Sequence, residues 1–305
     1  MDKILLIDFH NAVWRATISF SKPTNHEICL DEGHSDKHPN DNHCKCGAYF
    51  SIEDNICYGE KYLTVYNFFR NIRPIIEQFS PDKCFFVLEG HPQFRYDLFA
   101  DYKANRIHKT ASKKETVDKF HESKREIIRL IKYLPITVAR AENYECDDVI
   151  ATLSENLKEE DVTILSNDSD FIQLLQKGYK SIKIYNPIKK EFMESPEYPY
   201  VAWKCLAGDK SDNIPALLKP KKALEHSTNP KLFEKFLSTE ENRANFNINR
   251  QLIEFKMVPE DDINLIEGSS NFSELKNEFI KMKFNSIIND KSWEKYCNTF
   301  SCLKY

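Results

Sequence analysis

No apolar run in these 305 residues approaches the ~20 residues that a helix needs to cross a bilayer, which excludes a helical membrane protein. The chain also opens without the pattern of a secretory signal. Met1-Asp2-Lys3-Ile4-Leu5-Leu6-Ile7-Asp8 reads as a buried strand ended by an acid, so an intracellular, cytoplasmic protein is expected. Strong charge of either sign is lacking as well. A net charge of −4 does not by itself mark a binder of nucleic acid. No internal repeat or long linker is visible. Among the nine cysteines there is no C-x-x-C pair. In an intracellular chain they are free thiols or metal ligands rather than disulfides.

The chain does have the material of a globular protein. With 41% hydrophobic residues it can build a full core, in one large or two modest domains. Its charge is unevenly spread. Residues 102–132 carry ten Lys and Arg (Lys103, Arg106, Lys109, Lys113, Lys114, Lys119, Lys124, Arg125, Arg129, Lys132) against four acids. Such a segment suits contact with phosphates, although a solvated amphipathic helix has the same composition.

The acids cluster elsewhere. Tyr144-Glu145-Cys146-Asp147-Asp148-Val149-Ile150 opens a helix, and Ser166-Asn167-Asp168-Ser169-Asp170-Phe171 follows a strand. Five carboxylates thus fall within 26 positions beside apolar segments. Burying such charges costs several kcal/mol each, by rough estimate, unless something cancels them. Hard divalent cations do this well, because they prefer oxygen ligands. A magnesium site on an α/β scaffold is therefore expected.

The periodicity supports that scaffold. Strands are expected at 3–8, 84–89, 136–138, 162–166 and 181–185, the last of these closing the sheet. Helices are expected at 9–20, 59–79, 117–133, from about 144, and at 201–207. Strands alternating with helices imply a mostly parallel wound sheet flanked by helices. Asp8 and Glu89 stand at strand C-terminal ends, where ligands bind in such sheets. From Pro196 onward the chain reads as helical.

Residues 21–58 break the pattern. His26, Cys29, His34, His38, His43, Cys44, Cys46 and Cys57 put eight soft or borderline ligands within 32 positions. A structural zinc ion is a candidate here, through Cys29, Cys44, Cys46 and Cys57, with a histidine able to replace one. A His-rich loop without metal is the alternative.

Several motifs, in order, resemble the structure-specific 5′-nuclease (flap endonuclease) family. They are Leu6-Ile7-Asp8 with Arg15-Ala16; Phe94-Arg95 and Tyr102-Lys103-Ala104-Asn105-Arg106; Glu145-Cys146-Asp147-Asp148; Asp168-Ser169-Asp170-Phe171 with Gln173-Leu174; and Gly208-Asp209-Lys210-Ser211-Asp212-Asn213-Ile214-Pro215. Residues 21–58 lie outside the resemblance. Glu89 stands where the family usually has Asp. Residues 216–222 lack the glycines of the family's helix–hairpin–helix turn.

The resemblance implies a PIN-like nuclease core over residues 1–195, with the Cys/His-rich insert at 21–58 and a basic helical arch at 94–133. Residues 196–305 would be a helical DNA-binding region. Asp8, Glu89, Glu145, Asp147, Asp148, Asp168, Asp170, Asp209 and Asp212 would hold two or more Mg²⁺ or Mn²⁺ ions. Such ions activate water and stabilise the leaving oxygen of an in-line displacement. Lys103 and Arg106 would be catalytic, neutralising charge on the scissile phosphate. Arg95, Tyr102, Lys113, Lys114, Lys219, Lys221 and Lys222 would contact nucleic acid, Tyr102 by stacking on a terminal base; packing within the arch for Tyr102 and a surface salt bridge for Arg95 are the alternatives.

The implied activity is 5′–3′ exonuclease and flap endonuclease action on branched or nicked DNA, or on RNA–DNA hybrids, leaving 5′-phosphate and 3′-hydroxyl. A monomeric phage-type enzyme of replication, working with replication proteins and no membrane, fits these features. A non-catalytic binder of branched DNA and a single-strand ribonuclease of the PIN type are the alternatives. Nine clustered acids are an obstacle to mere phosphate binding, and a small ribonuclease does not need an arch.

Overall fold

The computed structural model describes residues 1–18, 52–53, 56–106 and 114–304. Its central strand is β1 (Lys3–Asp8). Ile4 and Leu6 enter one apolar cluster, and Leu5 and Ile7 enter another on the opposite face. A strand covered on both faces reads as an unbroken apolar run, as this one does.

The chain continues through α1 (Phe9–Ile18), a two-residue-strand hairpin of β2 (Ile52–Glu53) and β3 (Ile56–Cys57), then α2 (Tyr58–Phe79), β4 (Lys83–Leu88) and α3 (Gln93–Leu98). Next come α4 (Lys114–Ile131), β5 (Thr137–Arg140), α5 (Cys146–Asn156), β6 (Asp161–Leu165) and α6 (Ile172–Leu175). After β7 (Ile182–Asn186) and β8 (Glu191–Phe192) the helices α7 (Tyr200–Ala207), α8 (Pro220–Thr228), α9 (Pro230–Phe236) and α10 (Glu240–Ile253) follow. Strand β9 (Asn264–Glu267) and helices α11 (Phe272–Lys281), α12 (Asn285–Ile288) and α13 (Asp290–Ser301) complete the order.

The main sheet runs β8-β7-β6-β1-β4-β5-β9. The five strands from β7 to β5 are parallel, and both edge strands are antiparallel. Helices cover both faces. Residues of α1, α2, α4 and α11 to α13 share one apolar cluster with Leu5, Ile7 and Phe86. Residues of α5 and α6 share the other with Ile4, Leu6 and Val87. A third cluster gathers Tyr102 with residues of α7, α8 and α10.

Three expectations need correction. The strand at 182–186 does not close the sheet, because β8 and β9 extend its two edges. All four residues of β9 are exposed, so it carries no alternation to read. Residues 264–303 do not stay with the helices α7 to α10. They return to the sheet and supply Leu275, Phe279, Phe284, Tyr296 and Phe300 to the first cluster. Finally, the segment 94–133 is not free-standing throughout. Tyr102 is buried in the third cluster and Phe120, Ile127, Leu130 and Ile131 in the first. Residues 107–113, which include Lys109 and Lys113, lie outside the described residues. So do Cys29, Cys44 and Cys46 of the zinc candidate, while Cys57 ends β3.

Among the described residues no helix is long and apolar enough to cross a membrane.

Candidate active site

The parallel register brings three strand ends together. Asp8 on β1 lies opposite Val87 on β4, and Ile7 opposite Leu165 on β6. Asp8, Glu89 and the segment beginning at Ser166 therefore meet at the C-terminal edge of the sheet. Asp8 also caps α1, its Oδ1 accepting from the Asn11 amide at 2.9 Å. Its other oxygen accepts from Ser166 Oγ at 3.0 Å.

The N-terminus of α5 is drawn onto this edge. Gly90 makes the approach possible: a Cβ there would lie 2.0 Å from the Ala141 carbonyl oxygen. Glu89 Oε2 then accepts from the Cys146 amide at 3.0 Å. The Cys146 thiol lies 3.3 Å from Asp147 Oδ1 and 3.9 Å from Asp8 Oδ1. Ligand atoms of Asp8, Cys146 and Asp147 all fall within 4.8 Å of one another.

The nine acids expected to share one pocket divide into three groups. The first is Asp8, Glu89, Asp147 and Asp168. Among the described residues none of these four forms an ion pair within 4.0 Å. Burial raises the Asp8 carboxyl to about 6, and Glu89 and Asp168 add to the rise against its hydrogen bonds. Asp147 is pushed well above the usual carboxylate range by desolvation, then by Asp168, Asp8 and Glu89. Glu89 goes the other way. Burial pushes it up, but Lys103 and the Cys146 amide outweigh that and hold it below its ordinary value.

The second group is Asp170 and Asp209, bridged by Lys204. The Lys204 ammonium contacts Asp170 Oδ1 and lies 2.8 Å from Asp209 Oδ2. Tyr200 adds its hydroxyl to Asp170 at 3.0 Å. Burial still raises Asp170 to about 6, with Lys204 opposing and Asp168 reinforcing. Asp209 is held down at about 2, because Lys204 and Ser211 outweigh its desolvation. Lys204 is 7% exposed and was not singled out in the sequence, where it sits inside the apolar run of α7. A charged residue in such a run, five positions before an acid, was the available signal. Gly208 at φ +71 turns the chain after α7 and brings Asp209 back to it.

The third group is Glu145, Asp148 and Asp212, all paired with cations. Arg95 donates two bonds to Asp148, at 2.6 and 2.8 Å, and lies 3.0 Å from Glu145. Asp148 is fully buried and also accepts from the Lys256 amide at 2.8 Å. Lys103 pairs with Glu145 and lies 3.8 Å from Asp212, which also pairs with Arg106. Burial raises the Glu145 carboxyl, with Lys103 and Arg95 opposing.

Three residues sit differently from their expected roles. Asp148 has both oxygens bonded to Arg95, as a buried counterion. Arg95, at 2% exposure, has no surface to offer nucleic acid. Tyr102 is equally buried, and its hydroxyl donates to Glu145 at 3.0 Å and Asp212 at 3.3 Å, so no ring face is open to a base.

Lys103 and Arg106 reach the acidic edge from the other side, with Lys103 held at φ +56. Lys219, Lys221 and Lys222 are exposed around the N-terminus of α8, where Pro220 occupies the first turn. Lys114 begins α4.

A wound sheet with unpaired acids at its carboxyl edge, faced by basic side chains, is the layout of the 5′-nuclease class of folds. The family model described as "5′-3′ exonuclease, N-terminal resolvase-like domain" matches residues 41–201, and the chain belongs to this family. DNA polymerase I of Chloroflexus aurantiacus is 29% identical over 188 residues, covering 56% of this chain and 19% of that protein. A 5′-3′ exonuclease of Mycoplasmopsis pulmonis is 30% identical over 161 residues, covering 50% of this chain and 52% of the other. The chain thus spans about a fifth of the polymerase and half of the exonuclease. In fold it is similar to T5 5′-exonuclease with divalent metal ions (zinc) bound, with a TM-score of 0.54 at 13% identity and 98% coverage of both chains.

Proposed function

We propose that this chain is a divalent-metal-dependent 5′-nuclease. It hydrolyses phosphodiester bonds near the 5′ end of branched or nicked DNA, or of RNA–DNA primers, leaving 5′-phosphate and 3′-hydroxyl. Primer removal in replication is the matching role. The observation that carries the reading is the group of four unpaired carboxylates at the sheet edge. Two of them, Asp8 and Asp147, have raised pKa values, because burial disfavours their charge and the neighbouring acids add to the rise.

The donor set fits Mg²⁺ or Mn²⁺. Asp8, Asp147, Glu89 and Asp168 offer oxygen donors in a partly dry site, as hard cations prefer. Asp170, Asp209 and Asp212 would complete a second position. Bound there, the cations supply Lewis acidity, lowering the pKa of water and stabilising charge on the phosphodiester.

The chain's own residues supply the rest. Lys103 and Arg106 place two positive charges at the rim of the acids, where a scissile phosphate is held and its developing charge met. Both are tethered to Glu145 and Asp212 and keep their charge, because these carboxylates outweigh the cost of burial. Glu145 acts here as a positioning residue. Lys219, Lys221 and Lys222 stand at the N-terminal end of α8, the end where a helix dipole disfavours cations and favours phosphate. They are suited to the duplex backbone. The test is cleavage of a flap duplex, a blunt duplex and an RNA–DNA hybrid with Mg²⁺ or EDTA. Mg²⁺-dependent cutting near the branch supports the reading, and tight binding without cutting in Mg²⁺ and Mn²⁺ refutes it.

A further inference from the structure

A cavity lies on the flank of the fold, between α2 and the C-terminal helices. Its volume is about 460 Å³. It shares no residue with the acidic edge. Tyr66, Arg70 and Arg73 come from α2, Ser286 and Ile287 from α12, and Ser292, Lys295 and Tyr296 from α13.

The wall is rich in donors. Three cations line it, Arg70, Arg73 and Lys295, and Glu77 pairs with Arg73 and lies 3.6 Å from Lys295. Arg70 is exposed and has no carboxylate partner among the described residues. Tyr66 and Ser286 share a hydroxyl bond of 2.8 Å. Tyr296 is the telling residue. Only 2% of it is exposed, yet its hydroxyl has no hydrogen-bond partner among the described residues. A buried hydroxyl is rarely left unpaired without a missing partner. Tyr296 and Arg73 line the same cavity.

Guanidinium groups, an ammonium and hydroxyl donors around one space select an anion with several acceptor oxygens, which is the chemistry of phosphate. The volume lies in the range of small-molecule sites and exceeds what a bare phosphate fills. We propose that this cavity binds the phosphate of a nucleotide unit, at a site separate from the acidic edge. The nucleotide is either free or part of a strand.

The 305-residue chain, in EDTA, is titrated by calorimetry with inorganic phosphate, dAMP and a short single-stranded oligodeoxynucleotide. Saturable binding of dAMP that weakens at least fivefold in Arg70→Ala and about threefold in Tyr296→Phe is the expected result for a free nucleotide. The same losses with the oligodeoxynucleotide alone assign the site to a strand. Tyr296→Phe removes only the unpaired hydroxyl, so its melting temperature is unchanged or higher, and a folding defect does not confuse the result. No saturable binding of any probe, or equal affinity in wild type and both variants, overturns the proposal.

Discussion

Arg95 and Asp148 form a bidentate ion pair, at 2.6 and 2.8 Å, that is sealed from solvent beneath the acidic edge. The pair separates two functions that one acidic motif carries. Asp148 is neutralised by protein, whereas its neighbour Asp147 has no ion-pair partner within the described residues. Removing one member of a buried pair leaves an uncompensated charge. Arg95→Ala is therefore expected to lower stability by about 3–5 kcal/mol. Asp147→Asn is expected to do the opposite in EDTA, gaining on the order of 1 kcal/mol by relieving repulsion. Urea denaturation of the two variants in EDTA checks both signs.

The raised pKa of Asp8 fixes the sign of a pH effect. Its carboxyl moves from 3.8 to about 6 on folding, so between these values the folded state binds the extra proton. Stability from this group is present below the lower value and is lost as pH rises through the higher one. A rise of this size corresponds to roughly 3 kcal/mol as an upper bound. Metal-free wild type should thus lose stability relative to Asp8→Asn as pH goes from about 4 to about 7. Saturating Mg²⁺ should remove the difference in slope. Melting curves of both proteins across that range test this.

Lys204 occupies the space between Asp170 and Asp209 as an internal cation. Lys204→Met leaves two acids facing each other. In EDTA this variant should be less stable by about 3–5 kcal/mol. Because a divalent ion then replaces a positive charge that the protein has lost, Mg²⁺ should recover most of that stability and bind more tightly than in wild type. Calorimetric Mg²⁺ titration gives the affinity, and an unchanged value contradicts this role.

Cys146 puts a sulfur within ligand range of Asp8 and Asp147. Thiolate ligands favour soft metals and contribute little to Mg²⁺. Cys146→Ala should leave Mg²⁺ affinity within about twofold while weakening Cd²⁺ at least tenfold, as read by competition titration. Equal losses for both metals would mean that the variant disturbs the carboxylates rather than removing a ligand.

What was legible in the sequence follows from what is local. The core strand Ile4-Leu5-Leu6-Ile7 and its terminal Asp8 are set by a continuous apolar run, and the cluster at α5 by adjacent residues. The pairing of the acids was not legible. Arg95 and Asp148 are 53 positions apart, and only the folded chain shows that they neutralise each other. Stacking and packing could not be told apart for Tyr102, because its partners, Glu145 and Asp212, are 43 and 110 residues away. Lys204 was hidden by its apolar neighbours, and β9 by having no buried face.

The central claim is that the unpaired acids Asp8, Glu89, Asp147 and Asp168 are indispensable to metal-dependent cleavage. Its most direct test is cutting of a 5′-labelled flap duplex by wild type and Asp147→Asn, in Mg²⁺ and in EDTA, with flap binding measured alongside. The expected result is cutting near the branch by wild type in Mg²⁺ alone, and a loss of at least about a thousandfold in the variant while flap binding persists. Cutting that continues in EDTA, or a variant that cuts at the wild-type rate, would contradict it.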